Sequence, residues 1–130
     1  MPDAEVKPKA FVIDDSRAMR LILSNTLAEL GYEVCSAGSG KEALDYLAEK
    51  TPQLALLTVD WNMPGMNGVE FVRCVRTIPQ YATAPVMMIT TETEIAQIVK
   101  ALDVGANEYV MKPFTTEIIA DKLRIMGVLS

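Results

Sequence analysis

The chain has 130 residues, the size of one ordinary domain, and 50% of them are hydrophobic, so it can bury a full core. Twelve Lys and Arg residues against seventeen Asp and Glu residues give a formal net charge of −5. This balance argues against binding to nucleic acid, which needs a basic face. The absence of histidine excludes an imidazole base, ligand or phosphate carrier within the chain, and two cysteines are too few for a zinc cluster.

The amino-terminal residues 1–8 are polar and contain two prolines, so we expect them to form a flexible leader. They lack the apolar region of a secretory signal peptide. No apolar stretch in the sequence approaches the roughly 20 residues that a membrane span needs. We therefore expect a cytoplasmic protein without a membrane contact, whose single domain extends over residues 9–130.

Short apolar runs alternate with longer amphipathic stretches along the rest of the chain. In chain order, the pattern predicts five strands, at Ala10–Ile13, Tyr32–Ala37, Leu54–Val59, Pro85–Ile89 and Glu108–Met111. It predicts a helix after each strand: at Ser16–Leu30, from Ser39 to the residue before Thr51–Pro52, at Gly68–Ile78, at Glu94–Val104 and at Thr116–Met126. Gly31 stops the first helix, and Ser39 with Glu42 begins the second as in a capping box.

This regular alternation indicates an α/β fold built from five strand–helix units. Strands that are connected through helices form a parallel sheet with right-handed crossovers, and the helices cover both faces. The nearly continuous apolar run of residues 54–59 suits a strand that is buried on both faces. We expect a doubly wound five-stranded parallel sheet of the flavodoxin-like (βα)5 class, with the strand order 2-1-3-4-5 taken over from known folds of that class.

Polar residues directly follow or end four of the predicted strands. Asp14 and Asp15 follow the first strand, Asp60 the third, Thr90 the fourth and Lys112 the fifth. The carboxyl ends of parallel strands lie at one edge of the sheet, and ligands bind there, where the winding direction switches between strands 1 and 3. The sequence therefore predicts that three carboxylates, a hydroxyl and an ammonium group converge.

Three neighbouring carboxylates repel one another, and Lys112 can neutralise only one of them. The remaining charge suits Mg²⁺, a hard cation that prefers oxygen ligands. A magnesium ion beside an aspartate is typical of phosphoryl transfer to that aspartate, in which cations neutralise the charge on the phosphoryl oxygens. Thr90 is then placed to donate a hydrogen bond to the transferred group.

Each of these residues also has a purely structural interpretation. Asp14 and Asp15 could cap the first helix, Asp60 could begin a turn, Thr90 could cap the next helix, and Lys112 could be an ordinary surface lysine. These interpretations require four independent coincidences at one edge of the sheet, whereas a single site explains all of them.

Four segments also resemble a known family: Phe-Val-Ile-Asp-Asp-Ser at 11–16, Val-Asp-Trp-Asn-Met-Pro-Gly-Met-Asn-Gly at 59–68, Met-Ile-Thr at 88–90 and Gly-Ala-Asn-Glu-Tyr-Val-Met-Lys-Pro-Phe at 105–114. Their order and spacing are similar to those of the receiver domain of two-component response regulators. The resemblance covers nearly the whole chain from about Lys9 onward. The segment at 60–64 is most similar to single-domain regulators of the chemotaxis type.

The resemblance implies that Asp60 is the phosphoacceptor and receives a phosphoryl group from a phosphohistidine on a histidine kinase or phosphotransfer protein. It implies that Asp15 and Asp60 bind Mg²⁺ directly, together with the backbone carbonyl of Asn62, and that Asp14 helps through water. Lys112 would contact the phosphoryl group, and Lys112–Pro113 would be a cis peptide bond, a form that X–Pro bonds adopt at low cost.

The family pattern further implies that Thr90 and Tyr109 move when the phosphoryl group is present. Asn62 and Glu92 occupy positions that tune the rate of dephosphorylation. The sequence departs from the family in one respect, because Thr91 follows Thr90 where Ala or Gly is usual. We expect the β-branched Thr91 to crowd the route of the attacking water and to alter the lifetime of the phosphorylated state.

The function implied is a phosphorylation-activated signalling switch, with chemotaxis as one candidate pathway, and no enzymatic activity beyond its own phosphorylation and dephosphorylation. The sequence shows no second domain, so the output would be a changed binding surface on the fourth helix, fifth strand and fifth helix for a downstream protein. We expect a monomer. The spacing of Ile95, Ile98, Val99 and Leu102 on the fourth helix indicates that some apolar side chains, with Ile95 and Ile98 as candidates, are exposed.

Several alternatives stay open at this stage. A phosphorelay intermediate and a receiver fragment of a larger regulator carry the same residues. A hydrolase with an aspartyl nucleophile commonly has Asp-x-Asp-x-Thr after the first strand, where this chain has Asp-Asp-Ser. A flavin or nucleotide carrier needs a glycine- or hydroxyl-rich phosphate loop at that point. A degenerate receiver that only docks or dimerises would lack some of the pocket residues.

Overall fold

A computed structural model of the protein describes residues 6–91 and 95–129. The five strands are β1 (Lys9–Ile13), β2 (Glu33–Ala37), β3 (Leu56–Asp60), β4 (Val86–Thr90) and β5 (Glu108–Met111). The five α-helices are α1 (Arg17–Glu29), α2 (Gly40–Lys50), α3 (Gly68–Val75), α4 (Ile95–Asp103) and α5 (Thr116–Ile125).

The strands form one parallel sheet in the order β2-β1-β3-β4-β5, which confirms the predicted doubly wound topology. In this order β1 and β3 are neighbours at the centre, with Val12 paired to Thr58 and Ile13 to Val59. The winding direction switches between these two strands, so their carboxyl ends border the crevice in which ligands bind in folds of this class.

The two faces of the sheet carry separate apolar cores. Residues of α1 and α5 cover one face, where the buried side chains include Val12, Leu23, Leu27, Met87, Ile119 and Leu123. Residues of α2, α3 and α4 cover the other face, where they include Phe11, Leu47, Val59, Phe71, Met88 and Ala101. Every residue of β3 and β4 is buried, as expected for central strands of a sheet covered on both sides.

Side-chain caps explain where most of the helices begin. Ser16, Ser39, Asn67 and Thr115 each accept a hydrogen bond from the backbone N–H three residues later, at 2.9–3.2 Å. At the end of α1, Gly31 has a φ of 102°, which confirms its predicted place after the helix. Such caps fix the points at which the chain enters and leaves each helix.

The structure corrects two local predictions. Glu42 does not complete a capping box with Ser39, because its Oε1 accepts a hydrogen bond from the N–H of Gly38, the residue before Ser39. A complete capping box is formed instead by Asn67 and Glu70 at the start of α3. The third helix ends at Val75 rather than at Ile78, and a 3-10 turn at Pro79–Tyr81 follows. Proline at residue 79 disfavours helical backbone at the residue before it, which accounts for the shorter helix.

The exposed apolar side chains of α4 also differ from the expectation. Ile98 is half-buried against the core, while Val99 and Leu102 are exposed. The side chain of Ile95 lies outside the described part of the structure. Among the described side chains of α4, Ala101 is the one that is fully buried.

The predicted leader is only partly described, because residues 1–5 lie outside the described ranges. Val6, Lys7 and Pro8 are exposed, and the carbonyl of Pro8 accepts a hydrogen bond of 2.9 Å from the N–H of Glu33 at the start of β2. Within residues 6–91 and 95–129, no helix has the length and apolarity needed to cross a membrane.

Candidate acidic site at the carboxyl edge of the sheet

Two neighbouring strand ends bring three carboxylates together. Asp14 and Asp15 directly follow β1, and Asp60 is the last residue of the neighbouring β3. One carboxylate oxygen from each of them lies within 4.8 Å of the other two. Asp14 and Asp60 are buried, whereas Asp15 is exposed at the mouth of the site. The predicted convergence of the three aspartates is therefore what the fold produces.

Lys112, directly after β5, supplies the positive charge of the site. Its Nζ lies 3.3 Å from Oδ1 of Asp60 and 3.5 Å from Oδ2 of Asp14. Only 19% of the Lys112 side chain is exposed, so these ion pairs are poorly screened by water. One ammonium group thus faces two buried carboxylates, and the described site carries an excess of negative charge.

The two oxygens of the Asp14 carboxylate have different surroundings. Oδ1 accepts a hydrogen bond of 2.9 Å from the N–H of Ser16, which fixes the side chain against the turn before α1. Oδ2 is buried and accepts no hydrogen bond among the described residues. A buried carboxylate oxygen without a hydrogen-bond donor is costly unless a cation completes its surroundings.

Burial and the charge of Asp14 raise the pKa of Asp60 from 3.8 to about 6, and Lys112 only partly opposes this shift. Burial is the larger of the two causes, because it disfavours the ionised form of a carboxyl group. Burial together with a close like charge is the combination that shifts carboxyl pKa values at functional sites.

The donor set fits a divalent cation. Three carboxylates with closely spaced oxygens, one of them a buried oxygen that accepts no hydrogen bond among the described residues, offer the hard anionic ligands that Mg²⁺ prefers. Asn62, the fourth predicted ligand, is exposed in the loop between β3 and α3, two residues after Asp60. The acidic cluster can therefore hold a metal, and the exposed position of Asp15 leaves the site open to solvent.

Thr90 and Tyr109 lie on the side of the sheet that faces α4. Thr90 is the buried last residue of β4, and Tyr109 is half-buried on β5. Together with Trp61, Met88, Ile98 and other residues of α4, they line a narrow gap under the helix. The Nζ of Lys122 lies 4.9 Å from the centre of the Tyr109 ring, on the outer side of β5.

The remaining predicted residues surround this group. The Lys112–Pro113 peptide bond is cis, as the resemblance implied. Thr91 is exposed directly after β4. Glu92 lies outside the described residues. The effect of Thr91 on the phosphorylated state stays a prediction.

Two residues near the site were not identified from the sequence. Arg20 donates from Nη1 to the backbone carbonyl of Asp14 at 2.7 Å. Thr58, two residues before Asp60, is buried with a hydroxyl that has no hydrogen-bond partner among the described residues. Nothing in the sequence distinguishes Arg20 from its neighbour Arg17, and Thr58 lies inside an apolar strand pattern, so only the structure shows these surroundings.

Comparison with known proteins agrees with this geometry. The family profile of the response regulator receiver domain matches residues 10–124. The chain is 45% identical over 116 residues to a chemotaxis protein CheY homolog of Campylobacter jejuni, covering 88% of each chain. It is 44% identical over 119 residues to the chemotaxis protein CheY1 of Helicobacter pylori, covering 91% of this chain and 95% of that protein.

Solved structures show the same relationship. The chemotaxis protein CheY4 of Vibrio cholerae superimposes with a TM-score of 0.86 and 37% identity, over 92% of this chain and 98% of that one. The family consists of signalling receiver domains rather than classical enzymes, and receivers generally use Mg²⁺ at an acidic pocket. The chain belongs to the response regulator receiver domain family and is homologous to the CheY chemotaxis regulators.

Proposed function

We propose that Asp60 is the phosphoacceptor of this phosphorylation-activated signalling switch, within a receiver domain that extends over residues 9–130. The observation that carries this proposal is the position of its carboxylate, buried at the end of β3 between two other aspartates and 3.3 Å from the Lys112 ammonium group. Asp14 shares this burial and the Lys112 contact, but its Oδ1 accepts the N–H of Ser16, while Asp15 is exposed.

The sequence contains no histidine, so these residues supply no phosphohistidine donor of their own. We infer a phosphohistidine on a histidine kinase or phosphotransfer protein. A carboxylate oxygen of Asp60 attacks the phosphorus atom, the P–N bond to the donor imidazole breaks, and the electron pair leaves with that nitrogen. Because Asp60 reacts as the ionised carboxylate, the Lys112 ammonium group supports the reaction by favouring that form.

Asp14, Asp15 and Asp60 are the residues that would hold Mg²⁺, together with the backbone carbonyl of Asn62. When bound, the ion neutralises negative charge on the carboxylates and on the phosphoryl oxygens. The chain's own contribution is to keep Asp14 fixed through the N–H of Ser16 and to hold the Lys112 ammonium group beside both buried acids. The same groups serve dephosphorylation, in which a water oxygen attacks the phosphorus atom, the Asp60 carboxylate leaves and inorganic phosphate is released.

Thr90 and Tyr109 would transmit the change in charge. A phosphoryl group adds roughly −1.5 to −2 charges at the site, and Thr90, the last residue of β4, carries the one side-chain hydroxyl on that strand that can donate a hydrogen bond to it. If Tyr109 turns inward, its ring leaves Lys122, which lies 4.9 Å from the ring centre, and enters the gap under α4. Asn62 and Glu92 are proposed to tune the lifetime of the phosphorylated state.

The output surface is proposed to lie on α4, β5 and α5. The described residues of these elements include five exposed large apolar side chains: Val99, Leu102, Met111, Ile118 and Ile125. Met111 and Ile118 border a groove of about 290 Å³ that Tyr109 also lines. A change at Tyr109 therefore alters the shape of an apolar surface on which a downstream protein can bind.

The test uses acetyl phosphate as donor, with Mg²⁺ and the full chain, and measures the intact mass. We expect the mass to increase by one phosphoryl group, with acetate as the leaving group, and the increase to disappear when Mg²⁺ is chelated. Asp60→Asn should show no increase. Asp45→Asn, which removes an exposed carboxylate on α2, is the matched control and should react like the unchanged protein. Equal labelling of Asp60→Asn would contradict the assignment.

A further inference from the structure

A contact from α1 fixes the backbone between two of the three acidic residues. The Nη1 of Arg20 donates a 2.7 Å hydrogen bond to the carbonyl oxygen of Asp14. That carbonyl belongs to the peptide group that joins Asp14 to Asp15. Its orientation therefore sets the direction in which the chain continues into Asp15, so the guanidinium group acts on the geometry of the site without touching a carboxylate.

The structure provides space for this guanidinium group at Gly38, in the turn between β2 and α2. A Cβ atom added to Gly38 would lie 3.1 Å from Nη1 and 3.7 Å from Cζ of Arg20. The residue before it, Ala37, accepts a 3.2 Å hydrogen bond from the N–H of Asp14. The turn after β1 is thus fixed by two hydrogen bonds of Asp14, one to Ala37 at the end of β2 and one from Arg20. The absence of a side chain at residue 38 leaves room for the Arg20 guanidinium group.

The two aspartates of this turn depend on Arg20 to different degrees. The Asp14 carboxylate has its own restraint, the 2.9 Å hydrogen bond from the N–H of Ser16. The Asp15 side chain is exposed, so its direction depends on the backbone that carries it. Loss of the Arg20 contact should therefore affect mainly Asp15, the acid at the open mouth of the site.

We propose that Arg20 is a positioning residue, which orients the Asp14–Asp15 peptide group so that the Asp15 carboxylate faces Asp60 and can share a Mg²⁺ ion with it. This inference rests on the proposed metal-binding function of the acidic cluster. Residues that orient metal ligands typically change metal affinity by 10–100-fold when they are replaced.

The sign of the effect separates positioning from simple electrostatics. Arg20 is a cation near a cation-binding site, so removal of its charge alone should strengthen Mg²⁺ binding. Removal of a positioning contact should weaken it. Arg17 offers a matched comparison, because it is an exposed arginine at the start of the same helix, three residues earlier.

The experiment is a calorimetric titration of the full chain with Mg²⁺ alone. We expect Arg20→Met to weaken binding by about tenfold or more, and Arg17→Met to leave it unchanged or slightly strengthen it. Equal affinities of the two variants, or tighter binding by Arg20→Met, would overturn the inference. If the unchanged protein itself takes up no Mg²⁺, the proposed metal site fails instead, so the two failures are distinguishable.

Two further variants test the geometry while the charge is kept. Gly38→Ala should displace the guanidinium group and weaken Mg²⁺ binding in the same direction as Arg20→Met. Arg20→Lys should restore part of the affinity, since one ammonium group can donate to the same carbonyl. Thermal unfolding of each variant establishes that it is folded during the titration. If Arg20→Met does not fold, Arg20→Gln replaces it in the titration, and unchanged affinity in that variant contradicts the proposal.

Discussion

Two regions of the molecule hold charged groups away from full solvent exposure. In one, the charge is hydrogen-bonded to neutral oxygens, and in the other, like charges repel one another. Arg76, at the end of α3, donates to the carbonyl oxygens of Tyr81, Ala84 and Gly105 at 2.6–3.2 Å. Its Nη2 also donates to Oδ1 of Asn107 at 3.1 Å. At the other edge of the sheet, the acidic site has two buried carboxylates for one lysine and an oxygen without a hydrogen bond among the described residues.

The comparison indicates that the contacts of Arg76 serve the stability of the fold, whereas the charges around Asp60 serve its proposed reactivity. Around Arg76, each acceptor is a neutral oxygen of a loop, so the side chain connects α3 to the loops that precede β4 and β5 without charge repulsion. Around Asp60, repulsion and burial raise the pKa of the carboxyl group to about 6. Replacing Arg76 should therefore lower the free energy of unfolding of the protein, whereas replacing Asp60 should raise it.

The largest effect is expected at Arg76. Arg76→Met removes a charged donor from the part-buried carbonyls of Tyr81, Ala84 and Gly105, so the free energy of unfolding should fall by about 3 kcal/mol. Denaturant unfolding monitored by circular dichroism measures the change. Arg73→Met, which replaces an exposed arginine on the same helix, should change the stability by less than about 0.5 kcal/mol. Equal losses in both variants would refute a special role for the Arg76 contacts.

The opposite sign is expected at the acidic site. In the metal-free protein at pH 7.5, Asp60→Asn removes a buried charge that Asp14 repels, so the free energy of unfolding should rise by about 1–3 kcal/mol. The same variant should lose the proposed phosphorylation. One substitution at Asp60 should therefore raise stability and abolish function. A decrease in stability would show that Lys112 more than compensates for the repulsion.

The stability of the metal-free protein should also depend on pH through Asp60. The folded-state pKa of about 6 is higher than the ordinary value of 3.8, so the folded protein binds the proton more tightly than the unfolded chain. The Asp60 contribution is therefore fully present below pH 3.8 and is lost as the pH rises through about 6. The measurement is the difference in the free energy of unfolding between the unchanged protein and Asp60→Asn across this pH range. A difference that is constant with pH would contradict the shift.

A smaller gain is expected at Thr58, on the same face of β3 as Asp60. Its buried hydroxyl has no hydrogen-bond partner among the described residues, and valine has nearly the same shape without the polar group. Thr58→Val should therefore raise the free energy of unfolding by about 1 kcal/mol. Thermal and denaturant unfolding give the value. Lower stability in this variant would show that the hydroxyl is hydrogen-bonded in solution.

The sequence predicted the positions of the strands and the chemistry at their ends because both depend on local patterns. Apolar runs marked all five strands, and their bounds shifted by at most two residues at either end. The sequence also predicts that Asp14, Asp60 and Lys112 share one site, because parallel strands end at a common edge of the sheet. The helix ends were predicted less accurately, as at α3, because the proline that follows acts on backbone conformation and not on apolar spacing.

What the sequence by itself determined is the set of side chains at the carboxyl edge of a parallel sheet, since strand periodicity and chain direction suffice for that. Only the tertiary structure decided which of these groups are buried, which oxygen lacks a hydrogen bond, and which arginine reaches the turn after β1. Arg17 and Arg20 look alike in the sequence, but the contact of Arg20 depends on how α1 packs beside the turn at Gly38. Such contacts join residues that are distant in the chain, and their geometry is set by packing, which no local pattern encodes.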